Sequence, residues 1–137
     1  MLDELIAPLV QELAPALVQA IGIGVEIAGQ LLVTAGDNPE RLRSEATFGM
    51  LCGTAPLPAS SGKTQRHRLN RGGDRDANCA LHMAVISRMR MDSRTRAYVQ
   101  RRTAEGLSKL EIMRCLKRYL AREVLTLLRH DQRLLPA

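Results

Sequence analysis

The sixteen residues from 60 to 75 contain a single apolar side chain, Leu69; they read Ser-Ser-Gly-Lys-Thr-Gln-Arg-His-Arg-Leu-Asn-Arg-Gly-Gly-Asp-Arg. A segment with so little apolar surface cannot bury enough of it to offset the entropy of ordering its backbone. We therefore expect a long basic Gly/Ser loop, placed at residues 54–76, that interrupts the packed part of the chain. Surface loops on a rigid scaffold are frequent sites of function.

This loop has the composition of a phosphate-binding segment, because it combines five Lys and Arg residues with three glycines. Cationic side chains bind phosphate oxygens, and glycines let backbone N–H groups approach them. A solvated basic linker is the plainer alternative. The predicted nucleic-acid-binding side chains of the loop are Lys63, Arg66, His67, Arg68, Arg71 and Arg75.

Charge is unevenly distributed along the chain. Residues 1–40 carry six acids and no Lys or Arg, whereas residues 41–102 carry 13 Lys and Arg against four acids. A basic middle section of this kind is typical of proteins that bind polyanions. Arg outnumbers Lys there, which favours bidentate contacts to phosphate.

Outside the loop, apolar residues recur at helical spacing, and nothing alternates as in a strand. The predicted fold class is all-α, a helical bundle formed by one domain over residues 1–137. Ile21-Gly22-Ile23-Gly24 predicts a tight turn in a helix-hairpin-helix at about residues 13–36. Gly22 and Gly24 would let N–H groups at the second helix approach a DNA phosphate, and a purely structural hairpin is the alternative.

Capping residues predict where several helices begin. Ser44 precedes a helix that Gly53 ends, Asp74 or Asp76 precedes the next helix, and Asp92 precedes another. Ser108 and Glu111 have the spacing of a capping box.

The last helix of the predicted helical part, residues 77–130, has the most regular pattern. Its predicted core residues are Leu110, Met113, Leu116, Leu120, Val124, Leu127 and Leu128. Its predicted solvated face consists of Arg114, Lys117, Arg118 and Arg122.

Other residue types exclude some functions. The three cysteines are widely spaced, so neither a disulfide framework nor a metal-ligand set is expected, and reduced thiols in a cytoplasm are favoured. Only Phe48, Tyr98 and Tyr119 are aromatic, which argues against a protein that stacks single-stranded bases. No apolar run is long enough for a membrane span, and no membrane partner is expected.

Several short motifs occur in the order in which they occur in one bacterial transposase family. They are Gly22-Ile23-Gly24, Leu31–Arg41, Phe48–Gly53, Ser60-Ser61-Gly62, His67–Arg75, Asp92–Val99 and Cys115–Glu123. Over roughly residues 13–128 the chain resembles the C-terminal domain of the transposases named for insertion sequences 110, 116 and 902, which include the pilin-gene invertase Piv. The order of the matches carries the resemblance, because the two-glycine turn alone is common.

The resemblance implies a recombinase that breaks and rejoins DNA through a serine of this domain. The matching serine is Ser61, with Ser60 as the near alternative. The resemblance also implies an N-terminal RuvC-like domain whose four acids bind Mg²⁺, and a guide RNA in studied members. The expected partners are therefore DNA, a guide RNA as in the studied members, and full-length transposase or a second copy of the chain, in the cytoplasm at the nucleoid.

Three departures from the family pattern favour a truncated copy. The four-acid metal domain is absent from this sequence, Val25 replaces the usual proline, and Cys79 replaces a basic residue. We expect no cofactor bound by this chain itself and no activity without the metal domain. The alternative function is a non-catalytic helix-hairpin-helix module that binds nucleic acid.

Overall fold

The computed structural model describes residues 2–54 and 74–134, and these residues form helices and no strand, which confirms the all-α fold. The α-helices are α1 (Leu2–Leu13), α2 (Pro15–Gln19), α3 (Val25–Asp37), α4 (Glu45–Cys52), α5 (Arg75–Met91), α6 (Ser93–Ala104) and α7 (Lys109–Leu134). A 3₁₀ helix, Pro39–Arg43, joins α3 to α4. None of these helices is long and apolar enough to cross a membrane.

The helix boundaries follow the predicted caps. Ser44 and Thr47 exchange side-chain and backbone hydrogen bonds at the start of α4, and Gly53 ends α4 at a φ of 72°. Asp74 caps α5 and Asp92 caps α6. At the start of α7, Glu111 N–H donates to Ser108 Oγ at 3.2 Å, which is the first half of the predicted box. These caps satisfy N–H groups that have no partner inside a helix.

The core lies around α7, which packs against α2, α4, α5 and α6, while α3 packs against α1 and α5. Its largest fully buried side chains are Leu17, Ile23, Leu31, Phe48, Leu81, Val85, Ile112, Leu120, Val124, Leu125 and Leu128. Leu110 was predicted in this core and is 67% exposed. The buried face of α7 begins instead at Ile112 and Met113. The apolar spacing in the sequence extends toward the start of α7, beyond the part of the helix that other helices cover.

Helix α6 is attached through few apolar contacts, since Thr95 is its only buried residue within the described part of the chain. Tyr98 meets Tyr119 of α7 edge to face, with ring centroids 5.9 Å apart. The guanidinium groups of Arg101 and Arg102 lie over the Tyr98 ring. The Tyr98–Tyr119 contact therefore helps to hold this polar helix on the bundle, whereas the two cation–π contacts lie within α6 itself.

A carboxylate from the opposite end of the chain caps α2. Ala14 precedes α2 and has no side-chain oxygen, and Asp131 of α7 accepts hydrogen bonds from the N–H groups of Ala16 and Leu17 at 3.1 and 3.2 Å. Asp131 is 2% exposed. The two N–H groups would otherwise lack a partner, so this contact ties the first third of the chain to the last helix.

We expect Asp131→Ala to lower the free energy of unfolding by about 2 kcal/mol, because it leaves both N–H groups unpaired. Asp131→Asn keeps one acceptor oxygen and should cost less. Gln132→Ala changes an exposed neighbour and is the matched control. Urea unfolding of the three variants measures the difference, and equal stability of Asp131→Ala and Gln132→Ala would contradict the assignment.

Candidate nucleic-acid site and the base of the serine segment

The turn between α2 and α3 depends on two glycines with different surroundings. Gly22 has a φ of +79°, and a Cβ there would lie 2.9 Å from the backbone oxygen of Ala84 in α5. Gly24 has φ 63° and ψ −178°, a conformation that essentially only glycine adopts. A Cβ at Gly24 would meet nothing within 4 Å. Gly22 therefore packs the turn against α5, whereas Gly24 faces solvent.

Arg88 of α5 anchors this turn. Its Nε donates to the carbonyl oxygen of Ile21 at 2.6 Å, and its guanidinium forms a two-pronged ion pair with Glu123 of α7. The Arg88 side chain is only 16% exposed. Part of the positive charge of the middle section is thus used inside the fold.

The solvent-facing end of the hairpin is the start of α3. Gly24 supplies no side-chain cap to the first N–H groups of α3. Glu26 is exposed in the same first turn. Unpaired N–H groups and the helix dipole attract an anion, while the Glu26 carboxylate repels one.

Most of the predicted loop residues lie outside the described residues. They are Ser60, Ser61, Lys63, Arg66, His67, Arg68 and Arg71. Arg75 is described, and it is exposed in the first turn of α5, so it belongs to a helix and not to the loop in which it was predicted.

The two ends of this segment meet at a defined place, which we call the segment base (residues 51–54 and 74–78). Asp74 N–H donates to the carbonyl oxygen of Leu51 at 2.6 Å. The Asp74 carboxylate accepts from Asp76 and Ala77 N–H, and from the buried hydroxyl of Thr34 at 2.8 Å. The chain therefore leaves α4 and enters α5 at one point, which α3 supports from behind.

A second chain of hydrogen bonds reaches the segment base from α7. The Asn78 side-chain N–H group donates to the carbonyl oxygen of Cys52 at 2.8 Å, and the Lys117 ammonium donates to Asn78 Oδ1 at 3.1 Å. Burial lowers the pKa of Lys117. The prediction that Lys117 lies on the solvated face of the last helix is wrong, because its side chain reaches α5.

Sequence reasoning missed Thr34, Asn78 and Lys117. A threonine inside an apolar helix and an asparagine in a first turn are common. No local signal distinguishes Lys117 from the cations around it. Their roles depend on helices that meet only in the folded chain, so three-dimensional contacts were needed to find them.

The thiols differ in environment. Cys52 belongs to the segment base and is fully buried, and burial, together with the negative charge of Asp74, raises its pKa to about 12. Cys79 is exposed. Within residues 2–54 and 74–134, no three His, Cys, Asp or Glu side chains lie close enough to share a metal ion.

These features define a small helical domain that presents a glycine-turn hairpin and anchors a basic, serine-bearing segment at one base. The sequence pattern of the transposase IS116/IS110/IS902 family matches residues 14–100. The chain belongs to this family.

One relative is the insertion element IS110 uncharacterized 43.6 kDa protein of Streptomyces coelicolor. It is 32% identical over 107 residues, which are 77% of this chain and 26% of the relative. The chain thus spans about a quarter of the relative's length. No solved structure matches the chain.

The raised pKa of Cys52 makes stability depend on pH. The unfolded thiol ionises near pH 8.5, so the protonated folded thiol contributes stability that is complete below that pH and is lost as pH rises toward 12. Between pH 7 and pH 10, wild type should lose about 2 kcal/mol more than Cys52→Ala does. Cys79→Ala, which removes an exposed thiol, is the matched control. Urea unfolding at several pH values measures these slopes, and equal slopes in wild type and Cys52→Ala would refute the assignment.

Proposed function

We propose that this chain is the nucleic-acid-binding, serine-bearing part of an insertion-sequence transposase, and that Ser61, or its neighbour Ser60, attacks a DNA phosphodiester. Family membership supports the transposase class. The observation that supports the serine role is the segment base, where hydrogen bonds fix both ends of the segment that carries the serines. A nucleophile needs a fixed position relative to its phosphate, and this base restricts where the segment can reach.

The proposed chemistry is a transesterification. Ser61 Oγ forms a bond to phosphorus, one phosphorus–oxygen bond of the DNA strand breaks, the hydroxyl proton leaves Oγ, and the departing sugar oxygen takes up a proton. The product is a serine–phosphate link between the protein and the DNA. Arg66, Arg68 and Arg71 would stabilise negative charge on the phosphate oxygens.

The family resemblance implies Mg²⁺ in a further domain of four acidic residues. The described residues of this chain do not fit such an ion, because their acidic, His and Cys side chains form no group of three. We therefore assign no step to a metal ion bound by them. A metal-binding domain supplied by another part of the transposase is part of the proposal.

The α2–α3 turn is proposed to act as a helix-hairpin-helix contact to DNA. Gly24 and the uncapped start of α3 face solvent, which is what close approach of a phosphate requires. Gly22 supports the contact indirectly, since it packs the turn against α5. Arg75 is exposed at the segment base and is proposed as a further phosphate contact.

The proposed partners are DNA, a guide RNA, and full-length transposase or a second copy of the chain. DNA follows most directly from the transposase family. Because DNA is the proposed partner, the proposed location of the protein is the cytoplasm, at the nucleoid.

Glu26→Gln should raise affinity for duplex DNA by about three-fold, because it removes a negative charge beside the proposed phosphate contact. Glu111→Gln is the matched control, since Glu111 is also exposed in the first turn of a helix, α7, whose start Ser108 caps. Fluorescence anisotropy with a labelled duplex measures both affinities. An equal rise in affinity in both variants would mean that net charge causes the effect and that the hairpin is not part of the binding site.

The serine assignment is tested in a transposase assembled from this chain and a metal-binding domain of the same family. Wild-type chain should form a covalent protein–DNA adduct, and Ser61→Ala should abolish the adduct while duplex affinity stays unchanged, because only the nucleophile is lost. Ser93→Ala, an exposed serine of α6, is the control. Denaturing electrophoresis of labelled DNA detects the adduct.

Two other outcomes have distinct meanings. An adduct lost in Ser60→Ala and retained in Ser61→Ala would move the role by one residue. An adduct that survives both changes would exclude this segment from catalysis. In that case a non-catalytic binding module, which also agrees with the open hairpin turn, would be the remaining function.

A further inference from the structure

Lys117 is a half-buried cation without a carboxylate partner among the described residues. The ion pairs there join Arg88 to Glu123, Arg102 to Glu105 and Arg122 to Glu45. Lys117 donates instead to a neutral amide oxygen, that of Asn78. Burying a charge against a neutral group costs stability, and burial accordingly lowers the pKa of Lys117. If position 117 served packing alone, an apolar side chain of the same length would stabilise the fold more than lysine does.

The effect of Lys117 on Asn78 is to orient its amide. An ammonium group can only donate, so it requires Asn78 Oδ1 to face α7. The amide N–H group then faces two carbonyl oxygens at the end of α4, that of Cys52 at 2.8 Å and that of Gly53, the residue after the helix, at 3.5 Å. A reversed amide would set two donors against each other and two acceptors against each other.

The carbonyl groups that Asn78 binds, those of Cys52 and Gly53, lie just before the serine segment (residues 55–73). Gly53 turns the chain out of α4 at a φ of 72°, and a Cβ there would lie 3.0 Å from Asn78 Nδ2. Thr54 follows, with both its N–H and its hydroxyl bonded to the carbonyl oxygen of Gly49. The direction in which the chain leaves α4 is therefore set jointly by Asn78 and by the turn at Gly53.

We propose that Lys117 and Asn78 are positioning residues for the serine segment, with Lys117 orienting the Asn78 amide that fixes the exit of the chain from α4. This inference rests on the proposed function, because positioning matters only if the segment reacts or binds. Lys117 acts through Asn78 and does not contact DNA. The positive charge of Lys117 serves to orient the Asn78 amide and not to stabilise the fold.

Two substitutions test separately the two hydrogen bonds of the Asn78 amide. Lys117→Met removes the donor and the charge at similar length, and Asn78→Asp keeps an acceptor for Lys117 but loses the donor to Cys52. Lys117→Arg keeps a donor. Lys109→Met, an exposed lysine on the same helix, controls for the loss of one positive charge.

In the assembled transposase, Lys117→Met and Asn78→Asp should each slow adduct formation by about ten-fold to 100-fold, the range expected for a displaced nucleophile. Lys117→Arg should restore most of the rate, and Lys109→Met should match wild type. Duplex affinity should remain that of Lys109→Met. Thermal stability of Lys117→Met should equal or exceed that of wild type, which separates positioning from a structural role.

A second measurement does not depend on catalysis. In NMR spectra of the chain alone, the Asn78 side-chain N–H signals should show a hydrogen-bonded amide in wild type and Lys117→Arg, and an averaged one in Lys117→Met. If wild type forms no adduct, the proposed function fails and this signature alone decides the inference. An unchanged Asn78 signature in Lys117→Met would overturn the inference. Loss of duplex affinity in Lys117→Met but not in Asn78→Asp would also overturn it, because Lys117 would then contact phosphate directly.

Discussion

The carboxylate of Asp74 is the contact on which the arrangement of the site depends. It caps α5 and accepts a hydrogen bond from the buried hydroxyl of Thr34 in α3. The backbone N–H of Asp74 also donates to the carbonyl oxygen of Leu51 in the last turn of α4. Three helices thus meet at the residue that directly follows the serine segment. Since a carboxylate that accepts three hydrogen bonds has few alternative arrangements, this contact determines where the segment rejoins the fold.

Part of the basic charge has a structural use, which changes the electrostatic interpretation of the sequence. Arg88 holds the hairpin turn and pairs with Glu123, and Arg129 donates to the carbonyl oxygen of Leu42. Arg122 reaches Glu45. The cations left for nucleic acid are therefore fewer than net charge suggests, and exposed residues near the segment base, such as Arg75, gain importance.

Local signals predicted local structure well. Ser44, Asp74 and Asp92 cap helices as expected, because capping involves residues two or three positions apart. Contacts between distant residues escaped prediction. Asp131 caps a helix 114 residues away, and the helical period of α7 indicated an amphipathic face without showing which neighbours cover it. Leu110 and Lys117 were misplaced for that reason, and Asn78 was not singled out.

The most direct test of the account is the hydrogen exchange of the Asp74 N–H group, measured by NMR on the chain alone. If the segment base is as firm as its hydrogen bonds indicate, this N–H should exchange only through global unfolding, as slowly as that of Leu81 in the core of α5. Exchange of Asp74 at the rate of an unprotected amide, while Leu81 stays protected, would show that the ends of the segment are not held together and would contradict the account.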